Sequence, residues 1–205
     1  LKGLIDLMGG RKKAEAKLDE LFHMGVGTAK FRFYNVLPDA TGLMGMFQMG
    51  NEPSFHIPYL YNYVGSPWKT QKYIHSLIDT YFIDSYLGMP GDEVGGGMSA
   101  FVVFSMMGFF PVTPGTTNYV IGSPCFEKTT LHLPDGKTFT VKAKGLSYEN
   151  KFIQSARLNG DPLNKPWFTH EQLMAGGGLE FTMGPKPNKE WAAAPDAAPL
   201  TDIYD

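Results

Sequence analysis

The stretch GGGMSAFVVFSMMGFF (95–110) decides how this chain is read, because it carries no charge and is apolar on nearly every side. The apolar run from Met98 to Val112 falls far short of the roughly 20 residues that cross a bilayer. A helix that is apolar all round belongs inside a larger assembly, and the run predicts such a helix, ended by Gly108 and Pro111. Upstream, the signals are also helical. RKKAEAKLDELFH (11–23) sets Ala14, Leu18, Leu21 and Phe22 at helical spacing, with its charges on the other side. In SPWKTQKYIHSLIDTYF (66–82), Ser66 suits an N-cap and Pro67 a first helical position. Tyr73, Ile74, Leu77, Ile78, Tyr81 and Phe82 line the apolar face. PSFHIPYLYNYV (53–64) predicts a further helix, which Pro58 kinks or ends at its first turn.

Downstream the pattern changes to short runs rich in β-branched and aromatic residues: YVIGSP, FEKTTLHL, KTFTVKAK, KFIQSARL and LEFTM. Turns at PDG (134–136) and NGD (159–161) separate them. THEQLMAG (169–176) predicts a short helix, with Thr169 and Gln172 spaced for a capping box. The expected fold class is α+β. Residues 1–115 form a helical region, 116–185 a small antiparallel β module, and 186–205 an exposed Pro/Ala-rich tail.

Composition narrows the function classes. In 205 residues, 43% are hydrophobic, which is enough for a core and excludes wholesale disorder. The 24 glycines and 15 prolines are about 19% of the chain, against roughly 12% on average, too many for a simple helical bundle. Eighteen basic against twenty acidic residues leave a net charge of −2 and no basic block, so nucleic acid is not an expected partner. One cysteine, Cys125, excludes an internal disulfide and a Cys-based zinc site.

Two loops spend polar residues where turns alone do not need them. In GNEPSFHIPYLYNY (50–63), Asn51 and Glu52 offer oxygen ligands suited to a hard cation such as calcium. Capping of the next helix by Asn51, with Glu52 near its positive end, is the commoner reason for such residues. In MPGDEVGGGMSAF (89–101), Asp92 and Glu93 sit between a Pro-Gly turn and three glycines. A carboxylate there is a candidate general base or metal ligand; an acidic helix start is the structural alternative. His56 falls four residues after Glu52, on the same side of a continuous helix. Trp68 and the neighbouring tyrosines would suit a sugar. There is no Gly-x-Ser-x-Gly elbow, and Cys125 has no identifiable His partner, which argues against a Ser or Cys nucleophile.

The chain resembles the glycoside hydrolase family 92 α-mannosidases. The resemblance rests on GLIDLMGG (3–10), KLDELF (17–22), PDATGLMGMFQMGNEPSFHIPYLYNYVGSPWKTQ (38–71), GMPGDEVGGGMSAFVVFSMMGFFPVTPG (88–115), IGSPCFEK (121–128) and KFIQSARLNG (151–160). It implies a longer protein, with a β-sandwich before an (α/α)6 barrel, of which residues 1–115 would be a part. The implied reaction is calcium-assisted exo-hydrolysis of α-mannosides in mannose-containing glycans, with inversion. By the same resemblance, Asn51 and Glu52 belong to the calcium loop, Asp92 is the candidate base and Glu93 a weaker one. His56 and Trp68 are candidate substrate contacts. Val94 stands where the family pattern has an acidic residue and where a principal base carboxylate is expected. The general acid falls upstream of Leu1, so a missing N-terminal part of the same enzyme is an expected partner, and the family's glycan substrates imply a periplasmic or secreted location. The alternative is a non-catalytic mannose-binding or assembly module, favoured by Val94 and by an acid outside the chain.

Overall fold

The computed structural model describes residues 1–25, 44–91 and 93–201. Helices come first: α1 (Lys2–Leu7), α2 (Arg11–His23), the short α3 (Leu60–Tyr63), α4 (Pro67–Tyr81) and α5 (Gly97–Met107). Gly108 takes the left-handed conformation and ends α5, and its amide bonds back to the Phe104 and Ser105 carbonyls. The helix thus ends at the expected glycine, and the chain turns there directly into strand β1 (Phe109–Phe110).

The 53–64 stretch is not one helix. It forms two 3-10 turns, Glu52–Ser54 and Ile57–Tyr59, before α3. Pro53 and Pro58 lack amide donors, so no continuous α-helical ladder can run through them. Ser66 occupies the N-cap position of α4 but makes no side-chain cap. Its hydroxyl instead donates to Glu15 Oε1 at 2.6 Å, tying α4 to α2.

Among the described residues, seven further strands and one α-helix follow: β2 (Asn118–Ile121), β3 (Lys128–His132), β4 (Thr138–Lys144), β5 (Phe152–Leu158), β6 (Asp161–Pro162), β7 (Trp167–Thr169), α6 (His170–Met174) and β8 (Gly177–Gly184). Both predicted hairpin turns are present. PDG links β3 to β4, and Asn159–Gly160, both with positive φ, link β5 to β6. The capping box also forms: Thr169 Oγ1 accepts from the Gln172 amide, and Gln172 Oε1 from the Thr169 amide.

The β region is not purely antiparallel. One sheet, β1-β2-β7, is antiparallel, but the five-stranded sheet, in the order β3-β4-β8-β5-β6, pairs β4 with β8 in parallel. Parallel neighbours need a crossover, and here β5, β6, β7 and α6 supply it before β8 returns to the sheet centre. The described part of the tail, 186–201, also departs from expectation, because it is anchored rather than wholly exposed. Trp191, Ala192 and Ala197 are buried, and Trp191 Nε1 donates to the Leu163 carbonyl at 3.0 Å. Asn188 holds the turn, accepting from the Glu190 and Trp191 amides. A single large apolar ring outweighs a composition that otherwise reads as solvated.

Two cores result. Phe22, Phe47, Tyr59, Tyr61, Ile74, Leu77 and Phe101 fill the helical one; Phe139, Ile153, Phe168, Leu179 and Phe181 fill the other. Polar bonds fasten them together. Asn62 Nδ2 donates to the Ile121 carbonyl at 3.1 Å, and the Ile153 amide to Gln71 Oε1 at 2.9 Å. His75 Nε2 lies 2.9 Å from Ser123 Oγ, whose proton goes to the Lys151 carbonyl at 2.7 Å. Ser123 has one proton, so His75 is the donor of that pair.

Candidate active site

The two loops singled out in the sequence meet in space. Glu52 opens the first 3-10 turn, while Val94 lies just before α5. The Val94 amide donates to Glu52 Oε1 at 3.2 Å, across 42 residues. The backbones approach closely on both sides of that bond. A Cβ on Gly91, whose φ is +64°, would lie 2.2 Å from the Gly50 carbonyl oxygen. A Cβ on Gly97 would lie 2.9 Å from Glu52 Cγ. Larger residues at 91 or 97 would force the loops apart.

Aromatic packing beneath fixes this arrangement. Phe55 stacks on Phe101 of α5 with centroids 4.9 Å apart, and Phe110 meets both edge-on. Tyr59 is fully buried and shares a 3.0 Å hydrogen bond with Ser105 of α5. The Glu52 turn is therefore seated on the helix that Val94 precedes. Beside it runs an open groove of about 620 Å³ whose lining includes Tyr86, Met89, Gly91, Glu93, Ser99 and Val103.

Glu93 has a defined task. Its Oε1 accepts from the Met98 amide at 3.1 Å, and its Oε2 from the Ser99 amide at 2.9 Å and the Ser99 hydroxyl at 2.7 Å. Both oxygens are thus committed to the start of α5, where orphan amides and the helix dipole favour an anion. The Ser99 hydroxyl, followed by the backbone amides, holds the Glu93 carboxyl below the usual carboxylate range.

The remaining candidates fall out differently. Asp92 lies outside the described residues. Asn51 is exposed, in extended backbone, and its side chain does not cap the turn that follows, so capping is not its role. His56 is half-buried. The prolines that break the helix remove the supposed i, i+4 relation to Glu52, and the imidazole is instead held by the Pro53 carbonyl. Burial lowers its pKa from the ordinary value, against the pull of that bond. Trp68 lies at the first turn of α4, its ring approached by Lys69 Nζ at 5.5 Å and Lys189 Nζ at 5.3 Å.

Sequence reasoning missed Ser99 and the Gly50–Gly91 approach. The glycines were visible, but nothing local says which distant backbone they must admit. It also missed the His75–Ser123 pair, which joins the two cores, and the Lys69 cluster. Lys69 Nζ lies 2.8 Å from Glu15 and 2.6 Å from Asp19, and Asp19 also accepts from Tyr61 OH at 2.9 Å. Burial alone would lower Lys69, but the bonds to Asp19 and Glu15 outweigh it and leave the ammonium raised. Cys125 is no nucleophile in waiting, because burial pushes its thiol up to about 12.

The donors at the loop junction are oxygens, the kind a calcium ion takes, but calcium needs six to eight of them. Among the described residues, no group of three or more His, Cys, Asp or Glu could hold a metal ion. The set is right in kind and short in number.

Residues 1–185 match the glycosyl hydrolase family 92 catalytic domain, and the chain belongs to that family. A relative from Arthroderma benhamiae, described as an uncharacterized secreted glycosidase, is 37% identical over 199 residues, covering 96% of this chain and 23% of its own. A family GH92 α-mannosidase from Bacteroides thetaiotaomicron superposes with a TM-score of 0.83 at 33% identity, over 94% of this chain and 24% of its own. A family GH92 inverting mannosidase from Bacteroides thetaiotaomicron VPI-5482 gives 0.81 at 37% identity, over 98% and 28%. The chain spans about a quarter of the length of these relatives. Among the described residues, no helix is long and apolar enough to cross a membrane.

Proposed function

We propose that this chain is the C-terminal portion of a calcium-dependent exo-α-mannosidase that cleaves mannose-containing glycans with inversion. The bond from the Val94 amide to Glu52 carries the reading, because it joins an oxygen-rich loop to an acidic loop beside an open groove. Family membership and the solved mannosidases support it. In this reading residues 1–115 are part of an (α/α)6 barrel, and 116–185 are the β module that follows it. A periplasmic or secreted location agrees with the description of the fungal relative.

An inverting glycosidase needs an acid at the leaving oxygen and a base for water on the opposite ring face, roughly 6.5–9.5 Å apart. Asp92 is the base candidate here, and the acid comes from the part of the enzyme that precedes Leu1. Asn51 and Glu52 would hold calcium, with ligands from beyond the described residues completing its sphere; the chemistry it would supply there is Lewis-acid polarisation of sugar hydroxyls. His56, kept neutral near pH 7 by burial, is suited to hydrogen-bond a hydroxyl without adding charge. Trp68, on α4 with the Lys69 and Lys189 ammonium groups near its ring, remains a candidate substrate contact.

The test is hydrolysis of an aryl α-mannoside by the full-length polypeptide, followed by proton NMR. β-Mannose should appear first, and a calcium chelator should abolish turnover. Initial release of α-mannose would refute inversion, and undiminished turnover in chelator would refute calcium dependence. Calcium-dependent mannose binding without any hydrolysis would instead favour a binding module.

A further inference from the structure

Glu93 invites reading as a second catalytic carboxylate, but its geometry points elsewhere. A general base must have an oxygen directed at the water it activates. Both Glu93 oxygens are directed at α5: three donors, the Met98 amide, the Ser99 amide and the Ser99 hydroxyl, lie within 3.1 Å. Gly96 and Gly97 begin the helix without a side-chain cap of their own, so Glu93 is the group that closes its N-terminus.

This closure has a second effect. Val94 follows Glu93 directly, and its amide is the donor to Glu52. Once the Glu93 side chain is locked onto α5, the intervening backbone of residues 94–97 is held as a short closed loop. The Val94 N–H is then aimed outward at the Glu52 carboxylate. We infer that Glu93 is a positioning residue: by clamping the start of α5, it fixes the Val94 amide, and through it the orientation of Glu52. Ser99 is part of the clamp, contributing both its amide and its hydroxyl. The chain of action runs from Ser99 and Met98 to Glu93, to Val94, to Glu52. Its relevance to sugar hydrolysis rests on the proposed reading of the two loops, whereas the clamp itself does not.

The experiment separates the two. Amide hydrogen exchange is measured at Val94, Met98 and Ser99 in the full-length polypeptide, for the native sequence, Glu93→Ala, Glu93→Gln and the milder Ser99→Ala. Glu93→Ala should speed exchange at all three amides by at least about tenfold, and Ser99→Ala should give a smaller rise at the same sites. Unchanged Val94 exchange in Glu93→Ala would overturn the coupling, whatever the protein's activity. Calcium alone is then titrated by calorimetry, where Glu93→Ala should weaken binding about tenfold through Glu52.

Turnover provides the last readout. Gln keeps one acceptor oxygen, enough for the two Ser99 bonds though not for the Met98 amide, and cannot take a proton. As a positioning residue, Glu93→Gln should keep clearly more kcat than Glu93→Ala. Equal losses of about a hundredfold or more in both variants would make Glu93 the base and overturn the inference. Absence of calcium binding and of hydrolysis in the native sequence would refute the proposed function, while the exchange data would still decide the clamp.

Discussion

The two halves of this chain treat their apolar surface in opposite ways. Of the twelve large apolar side chains exposed among the described residues, ten lie before Gly108; only Phe126 and Tyr148 lie after it. In the helical half, Leu7, Leu87 and Tyr86 are 89%, 84% and 101% exposed, and Val103 on α5 is 56% exposed although that helix carries no charge. In the β half, Phe139, Ile153 and Leu179 are completely buried, and the tail folds back to cover the module with Trp191. The β module closes its own core, whereas the helical half presents faces that suit further protein. That asymmetry agrees with a chain spanning a quarter of its relatives' length. It also separates the tasks: the candidate site lies wholly on the open half.

The largest expected effect tests the closed half. Phe139 has no exposed surface and stacks on Phe168 at 5.7 Å. Phe139→Ala should cost about 3–5 kcal/mol in urea unfolding, the usual penalty for a large aromatic cavity in a packed core. A loss below about 1 kcal/mol would mean that the module does not hold together by its own packing, and the comparison would fail.

The next effect tests the open half. Val94 is 61% exposed beside the groove and offers the site only its backbone amide, because its side chain can neither accept a proton nor bind an ion. In the full-length polypeptide, Val94→Asp should hydrolyse aryl α-mannosides at least about a hundredfold faster than the native sequence, the low end of what a general base supplies. Mannose binding should change little, because Asn51 and Glu52 are untouched. Equal rates would place the base at Asp92 and make Val94 an ordinary loop residue.

A smaller effect concerns the joint between α2 and α4. Lys69 is 14% exposed, between Glu15 at 26% and Asp19 at 38%. Lys69→Met keeps the stem's packing but leaves the Glu15 and Asp19 carboxylates without their cation. Because the carboxylates are partly solvated, the loss should be about 1–2 kcal/mol rather than the 3–5 of a fully buried pair. Thermal unfolding in low and high salt checks this; a variant as stable as the native chain would show that the helices are held by apolar packing alone.

How much was legible in the sequence follows the same division. The β hairpins and the capping box were readable because Asp135–Gly136, Asn159–Gly160 and Thr169–Gln172 each act within a few residues. The parallel pairing of β4 with β8 was not, since it depends on where a strand returns after some thirty residues and no local pattern records that. In the helical half, the stripe of α4 and the Gly108 stop were plain. The Glu52–Val94 bond was hidden, because each loop alone is explained by helix-end chemistry. Glu93 shows the limit best: its proximity to a helix start was readable, but its hold on Ser99 was not.

The smallest effect probes the seam between the halves. His75 on α4 donates to Ser123, and burial, then the nearby Lys151 ammonium, pushes its pKa down to about 4; Asp79 and the Pro124 carbonyl oppose the shift but do not cancel it. In the unfolded chain the ring titrates near the ordinary 6.5. Between those two values the unfolded state binds the additional proton, so the His75 contribution is complete above about pH 6.5 and lost as pH falls toward 4. His75→Gln keeps an N–H donor for Ser123 but has no proton to gain. Urea unfolding at pH 7 and pH 5 should therefore show the native chain losing on the order of 1 kcal/mol more than His75→Gln over that interval, with carboxylate titrations common to both. Identical losses would mean that the seam does not depend on a neutral imidazole. The two halves would then be joined chiefly by the Gln71 and Asn62 bonds, neither of which titrates.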